Sequence, residues 1–193
     1  LKDTAATPQP ALRKDAARNR CRTMDAARAL ASSRKPLQLN AVAQAVDVGV
    51  GTVYRRFPTP EALIEALAED QFTVLIRQAA AAPPTQQGPR DFLKTALAAY
   101  VRDDAFAAAV TDPNPASAES QQLRQRLQDG LRDLLERTAA ANAVHPALTV
   151  GDVILLLCGI GFAIRHAPDP DEPDLADRYL SALLDGVLTR GEE

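Results

Sequence analysis

Residues 39–57 read LNAVAQAVDVGVGTVYRRF, and how this stretch is read decides the fold. Apolar residues recur at helical spacing over about 38–46, with Val42, Ala43 and Val46 on one face. Asp47-Val48-Gly49 interrupts the pattern as a turn, and Val50 to Arg56 resumes it as a short helix ending in two arginines before Phe57. Pro58 stops that helix, because proline cannot donate a backbone hydrogen bond. Two short helices joined by a tight turn containing glycine form a helix-turn-helix pattern.

The flanking sequence fits this reading. Upstream, a helix over about 11–33 places Leu12, Ala16, Thr23, Ala27 and Leu30 on one face. Arg13, Lys14, Arg18, Arg20 and Arg22 crowd its first half, and Pro36 closes it. Residues 1–60 carry a formal charge of +7 and residues 61–193 one of −10, giving −3 for the chain. A basic N-terminal third on an acidic body is the electrostatic footprint of nucleic-acid binding confined to one part. Residues 1–10, with two prolines, read as a disordered arm.

The remainder is helical by composition. Apolar content is 46% and aromatic content only 4%; much of the apolar part is alanine, the best helix former, and an all-α fold follows. A fourth helix starts at Thr59-Pro60-Glu61, with Thr59 as N-cap, and runs to the alanines before Pro83. Residues 85–89 read as a polar linker. Two helices follow, one around Phe92 to Val101 and one around Phe106 and Val110, then a Pro-rich break at 112–115 and a helix over about 117–142. His145-Pro146 breaks the chain again, Thr149 caps an eighth helix to His166, and a ninth runs from Asp174 to about Thr189. That makes about nine helices.

The eighth helix is apolar almost all round and demands cover on every side; with the ninth it predicts a homodimer. No apolar run is long enough to cross a bilayer, no leader pattern is present, and Cys21 and Cys158 do not form a disulfide framework. The expectation is a cytoplasmic protein with two free thiols, and Cys21, between Arg20 and Arg22, has a redox-responsive reading as the alternative.

The stretches RNRCRTMDAARALA and AVAQAVDVGVGTVYRRFPTPEALIEAL resemble TetR-family transcriptional regulators over about residues 11–70. Further on, only the helix count and the run AVHPALTVGDVILLL are similar. The resemblance implies a helix-turn-helix DNA-binding domain at 11–58 and a helical ligand-binding and dimerisation domain at 59–193. It implies that Val50, Gly51 and Thr52 face base edges, where valine and glycine read thymine methyls or permit close approach. Tyr54 and Gln38 then donate to phosphate, and Arg55 and Arg56 clamp phosphate or reach guanine. Val53 and Phe57 are core. Two positions depart from the family: Pro60 where a cation usually meets phosphate, and Ala31 where phenylalanine is common.

The mechanism this implies is a repressor dimer on a pseudopalindromic double-stranded operator, with half-sites about one helical turn (~10 bp) apart. A small, largely apolar effector releases it by tilting the fourth helix. The expected pocket residues are Phe72, Leu97, Tyr100, Phe106, Leu127 and Phe162, with Tyr100, Arg102 and Arg165 as polar groups. No cofactor or metal is implied. An enzyme is disfavoured, since His145 and His166 lie 21 positions apart with no nucleophile, P-loop or dinucleotide pattern. An effector-independent architectural DNA-binding protein is the alternative; the long acidic body, larger than dimerisation needs, argues against it.

Overall fold

The computed structural model describes residues 10–31, 37–139, 148–170 and 172–187, and their side chains except those of 10–17, 139 and 187. Pro10, expected in the disordered arm, instead opens the first helix; the rest of that arm at 1–9, the Pro36 stop, the Arg13 and Lys14 side chains, the end of the seventh helix near Asn142, His145-Pro146 and Leu188 lie outside the described residues. Among those described there are nine α-helices and no strand: α1 Pro10–Ala31, α2 Leu39–Ala45, α3 Val50–Arg56, α4 Pro60–Ala81, α5 Gln87–Arg102, α6 Asp104–Thr111, α7 Ala118–Ala139, α8 Val150–Arg165 and α9 Leu175–Val187. None of them is long and apolar enough to cross a membrane. The chain divides into two compact units, Leu1–Leu63 and Ile64–Glu193.

In the first unit α1, α2 and α3 close over Met24, Ala27, Leu39, Val42, Val46, Val53 and Phe57, all buried. The α2–α3 turn is a Schellman motif: Val48 N–H donates to the Ala43 carbonyl at 3.1 Å and Asp47 N–H to that of Gln44 at 3.3 Å. Its left-handed residue is Asp47, at φ 53°, and not the glycine. Gly49 instead has φ −59° and ψ 130° as the N-cap of α3. The turn lies at Asp47-Val48-Gly49, as expected. Arg22 donates from Nη2 to the Val46 carbonyl at 2.9 Å, satisfying the carbonyl of the residue that caps the C-terminus of α2.

The second unit packs around one core built from Phe72 and Leu75 of α4, Phe92, Leu93 and Leu97 of α5, Phe106 of α6, Leu131 and Leu134 of α7, Val153 and Leu157 of α8, and Leu180 and Leu184 of α9. Two of its helices start at side-chain caps. Asp103 accepts from Phe106 N–H at 2.9 Å at the head of α6. Thr149 and Asp152 form a reciprocal capping box at the head of α8. The hydroxyl and backbone N–H of Thr149 hold the Asp152 carboxyl below the usual carboxylate range.

α5 begins at Gln87, inside the stretch expected as linker. A proline in a first turn lacks only an N–H that would be orphaned anyway, so Pro89 does not delay the helix. Gly88 is required there: a Cβ would collide with the Pro83 carbonyl. The head of α7 is joined to α4 by a residue the sequence did not single out. Glu65, only 4% exposed, accepts from the Ala116 N–H and from the Ser117 hydroxyl, the latter at 2.8 Å. Ser117 Oγ in turn accepts from Ser120 N–H at 3.0 Å.

Candidate functional site

On α3, helical periodicity sorts the residues by face. Val53 and the flanking Phe57 turn inward and are buried, whereas Gly51, Thr52, Arg55 and Arg56 are exposed, as are Val50 at 42% and Tyr54 at 44%. A valine and a tyrosine exposed at this level stand on the side of the helix opposite buried Val53. A Cβ on Gly51 would meet nothing within 4 Å, so the backbone there is open to close approach.

The two arginines differ. Arg56 lies over the Phe57 ring, its guanidinium carbon 5.6 Å from the centroid, while Arg55 makes only a long 3.4 Å hydrogen bond to Thr52 Oγ1. Gln38 is exposed at the N-cap of α2 and makes no side-chain cap bond, which leaves its amide available. Arg22, counted with the basic cluster of α1, has its guanidinium committed to Val46 and serves the frame of the motif.

The second unit holds an apolar cavity of ≈ 30 Å³, lined from five helices by residues that include Phe92, Tyr100, Phe106, Leu127, Leu157 and Cys158. Tyr100, Phe106 and Leu127 were expected there. Phe72 stands behind the wall, edge-on to Phe106 with ring centroids 5.0 Å apart. Leu97 and Arg102 line a separate, polar cleft of ≈ 320 Å³ beside Lys94 and Asp177, whose ion pair is 2.8 Å long.

Phe162 lies outside both pockets. It is 57% exposed and stacks on His166 at 4.0 Å, because it points away from the α8 face that carries Val153, Leu157 and Ile164. Arg165 does not line the cavity either: it pairs with Asp104 and donates to the Tyr100 carbonyl at 3.3 Å. The Tyr100 ring rests on Gly161, where a Cβ would collide with it. Burial pushes the Tyr100 hydroxyl above its ordinary pKa and the Cys158 thiol up to about 11, so both stay protonated near neutrality. The residues missed were within reach of the pattern. Phe92, Ala96 and Tyr100 repeat every four positions on α5, as Ile154 and Cys158 do on α8.

Residues 86–189, more than half of the chain, match the family model described as the C-terminal domain of SbtR-like transcriptional regulators. The chain belongs to the TetR family. This TetR-family regulator is similar to the TetR regulator SCO0520 of Streptomyces coelicolor, with 28% identity over 89% of this chain and 99% of that one and a TM-score of 0.56. It is also similar to the TetR regulatory protein of Mycobacterium vanbaalenii, with 26% identity, coverage of 92% and 99%, and a TM-score of 0.52. RolR, solved with resorcinol, shares the fold at 18% identity, covering 92% of this chain and 91% of that one with a TM-score of 0.59. No curated protein matches the sequence. TetR-family regulators are DNA-binding proteins, not enzymes, and they bind operators and small-molecule ligands and form dimers.

Proposed function

We propose that this TetR-family regulator is a homodimeric cytoplasmic repressor that a small, largely apolar effector releases from a pseudopalindromic operator. The observation that carries the proposal is the outward face of α3, where Val50, Gly51, Thr52, Tyr54, Arg55 and Arg56 stand exposed beside buried Val53 and Phe57. On this reading residues 11–58 bind DNA and residues 59–193 bind the effector and the partner subunit. Val50 and Gly51 meet thymine methyls, Thr52 meets a base or phosphate, and Gln38, Tyr54, Arg55 and Arg56 grip the backbone or a guanine.

Two further observations support the reading. Leu155, Leu156 and Phe162 on α8 and Tyr179 on α9 are large apolar side chains left exposed, and pairing of these helices with a second copy would cover them. The apolar cavity would receive the effector at Tyr100, Phe106 and Leu127, with Phe72 behind Phe106. RolR, with the same fold, holds the aromatic molecule resorcinol. Because α4 passes from the first unit into the second at Leu63, it is the element through which occupancy would reach the DNA-binding residues. A ligand moves that equilibrium only by its differential affinity for the two states.

The test is DNA binding against salt, using duplexes selected by the protein from a random pool. Tyr54→Phe and Arg56→Ala should each weaken binding, and Arg56→Ala should lower the salt slope by about one. Wild-type affinity and slope in both variants would remove α3 from the interface. The small cavity favours the second reading, an effector-independent DNA-binding protein; it predicts DNA affinity that no apolar ligand alters.

A further inference from the structure

The walls of the ≈ 30 Å³ cavity contain no charged side chain. Of the lining residues only Tyr100 and Cys158 have a polar side-chain atom, the rest being Leu, Phe, Ala, Val and Ile, and the wall surface is almost wholly apolar. The charged groups around it are occupied elsewhere. Arg165 is held by Asp104 and the Tyr100 carbonyl, Glu65 by Ala116 and Ser117, and Arg124 donates to the Asp112 carbonyl. Arg102, expected in the pocket, lines the other cleft.

Resting on the reading of this cavity as the effector site, we infer that the molecule it takes is uncharged and compact: a single-ring hydrocarbon or phenol, without carboxylate, phosphate or ammonium. An ion entering here would lose its hydration and meet no counter-charge, which lowers affinity by at least about a hundredfold. An apolar void of this kind stays dry and accepts hydrocarbon instead. Burial keeps the Tyr100 hydroxyl and the Cys158 thiol protonated near neutrality, so neither supplies a counter-charge.

A ring is larger than the void and enters by moving wall side chains. Val110 and Ile154 are the half-buried members of the lining, so they are where it opens. The cavity's small volume disfavours long acyl chains, and Phe72, packed edge-on behind Phe106 with ring centroids 5.0 Å apart, backs the wall at that residue.

The experiment uses the full chain with toluene, phenol and benzoate, three single-ring molecules of which only the last is charged at neutral pH. Binding is read by thermal shift and by the rate at which methyl methanethiosulfonate modifies Cys158 in a Cys21→Ser background. Toluene and phenol should raise the melting temperature and slow Cys158 modification, and benzoate should bind at least about a hundredfold more weakly. Ala96→Leu, which fills the void, should abolish both effects. Should the core reject that variant, the Cys158 protection in the Cys21→Ser background stands as the independent measurement.

Benzoate binding as tightly as toluene, failure of both neutral molecules to bind, or binding that leaves the Cys158 rate unchanged would each overturn the inference. Affinity for selected DNA is measured in parallel. Toluene that binds and protects Cys158 without weakening DNA binding upholds the cavity's chemistry and rejects its role as effector site.

Discussion

Gly51 and Tyr54 stand three residues apart on the outward side of α3, and they fail differently when changed. Nothing lies within 4 Å of a Cβ placed on Gly51, so Gly51→Ala should raise the unfolding free energy by up to about 1 kcal/mol, measured in urea. The same methyl group blocks close approach of the backbone to DNA, so affinity for selected duplexes should fall. A variant more stable and less able to bind separates function from folding at one atom. The two cysteines make a second contrast. Cys21 is exposed and Cys158 buried, so mass spectrometry of the native protein at pH 8 should find iodoacetamide on Cys21 alone.

The Cys158 thiol ionises at an ordinary 9.0 in the unfolded chain and at about 11 in the fold. Between these values the unfolded state has released the proton and the folded state has not. Stability is therefore unaffected below pH 9 and falls as pH rises from 9 toward 11; urea midpoints in that window should fall less in Cys158→Ala. Residue roles were legible where periodicity alone assigns them, as for inward Val53 and Phe57. They were not legible for Arg22 and Glu65, whose partners lie 24 and more than 50 positions away and exist only once the helices have packed.

Among the elements, α2 and its turn carry a correctable cost. Asp47 occupies the left-handed position of the Schellman motif, at φ 53°, and sets a negative charge at the negative end of the helix. Asp47→Gly should stabilise the protein by about 0.5–1 kcal/mol in urea unfolding. On α8 the opposite holds. Gly161→Ala drives a methyl into the Tyr100 ring and should cost about 1–3 kcal/mol, with a lower melting temperature. The sequence announces such elements through their caps and breakers: α3 runs over Val50–Arg56 as expected, and Thr149 caps α8. It was misleading at α5, where a polar stretch ending in Gly88-Pro89 looks like linker by composition yet forms a first turn, the one place in a helix where proline costs nothing.

For the whole molecule, the eighth helix was expected to need cover on all sides. The structure buries Val153, Leu157 and Ile164 and leaves Leu155 69% exposed. Leu155→Glu should shift sedimentation from twice the chain mass to the single chain mass and weaken DNA binding, with the helical spectrum retained. A wild type that sediments as a monomer at micromolar concentration would defeat the proposed pairing. Family membership was legible from the N-terminal motif, which is short, local and tightly patterned. The cavity was legible only in part, since which of several buried aromatics borders a void depends on helix rotations that periodicity leaves open. Phe162 shows the limit: an aromatic on an apolar helix, yet on the face away from the core.

That uncovered stripe has a consequence for dosage. While single chains predominate and the operator is far from saturation, the abundance of paired chains follows the square of protein concentration, so halving the cellular supply cuts operator occupancy by about fourfold. On the proposed pairing, the genes under control would register how much regulator the cell makes as well as what it has bound.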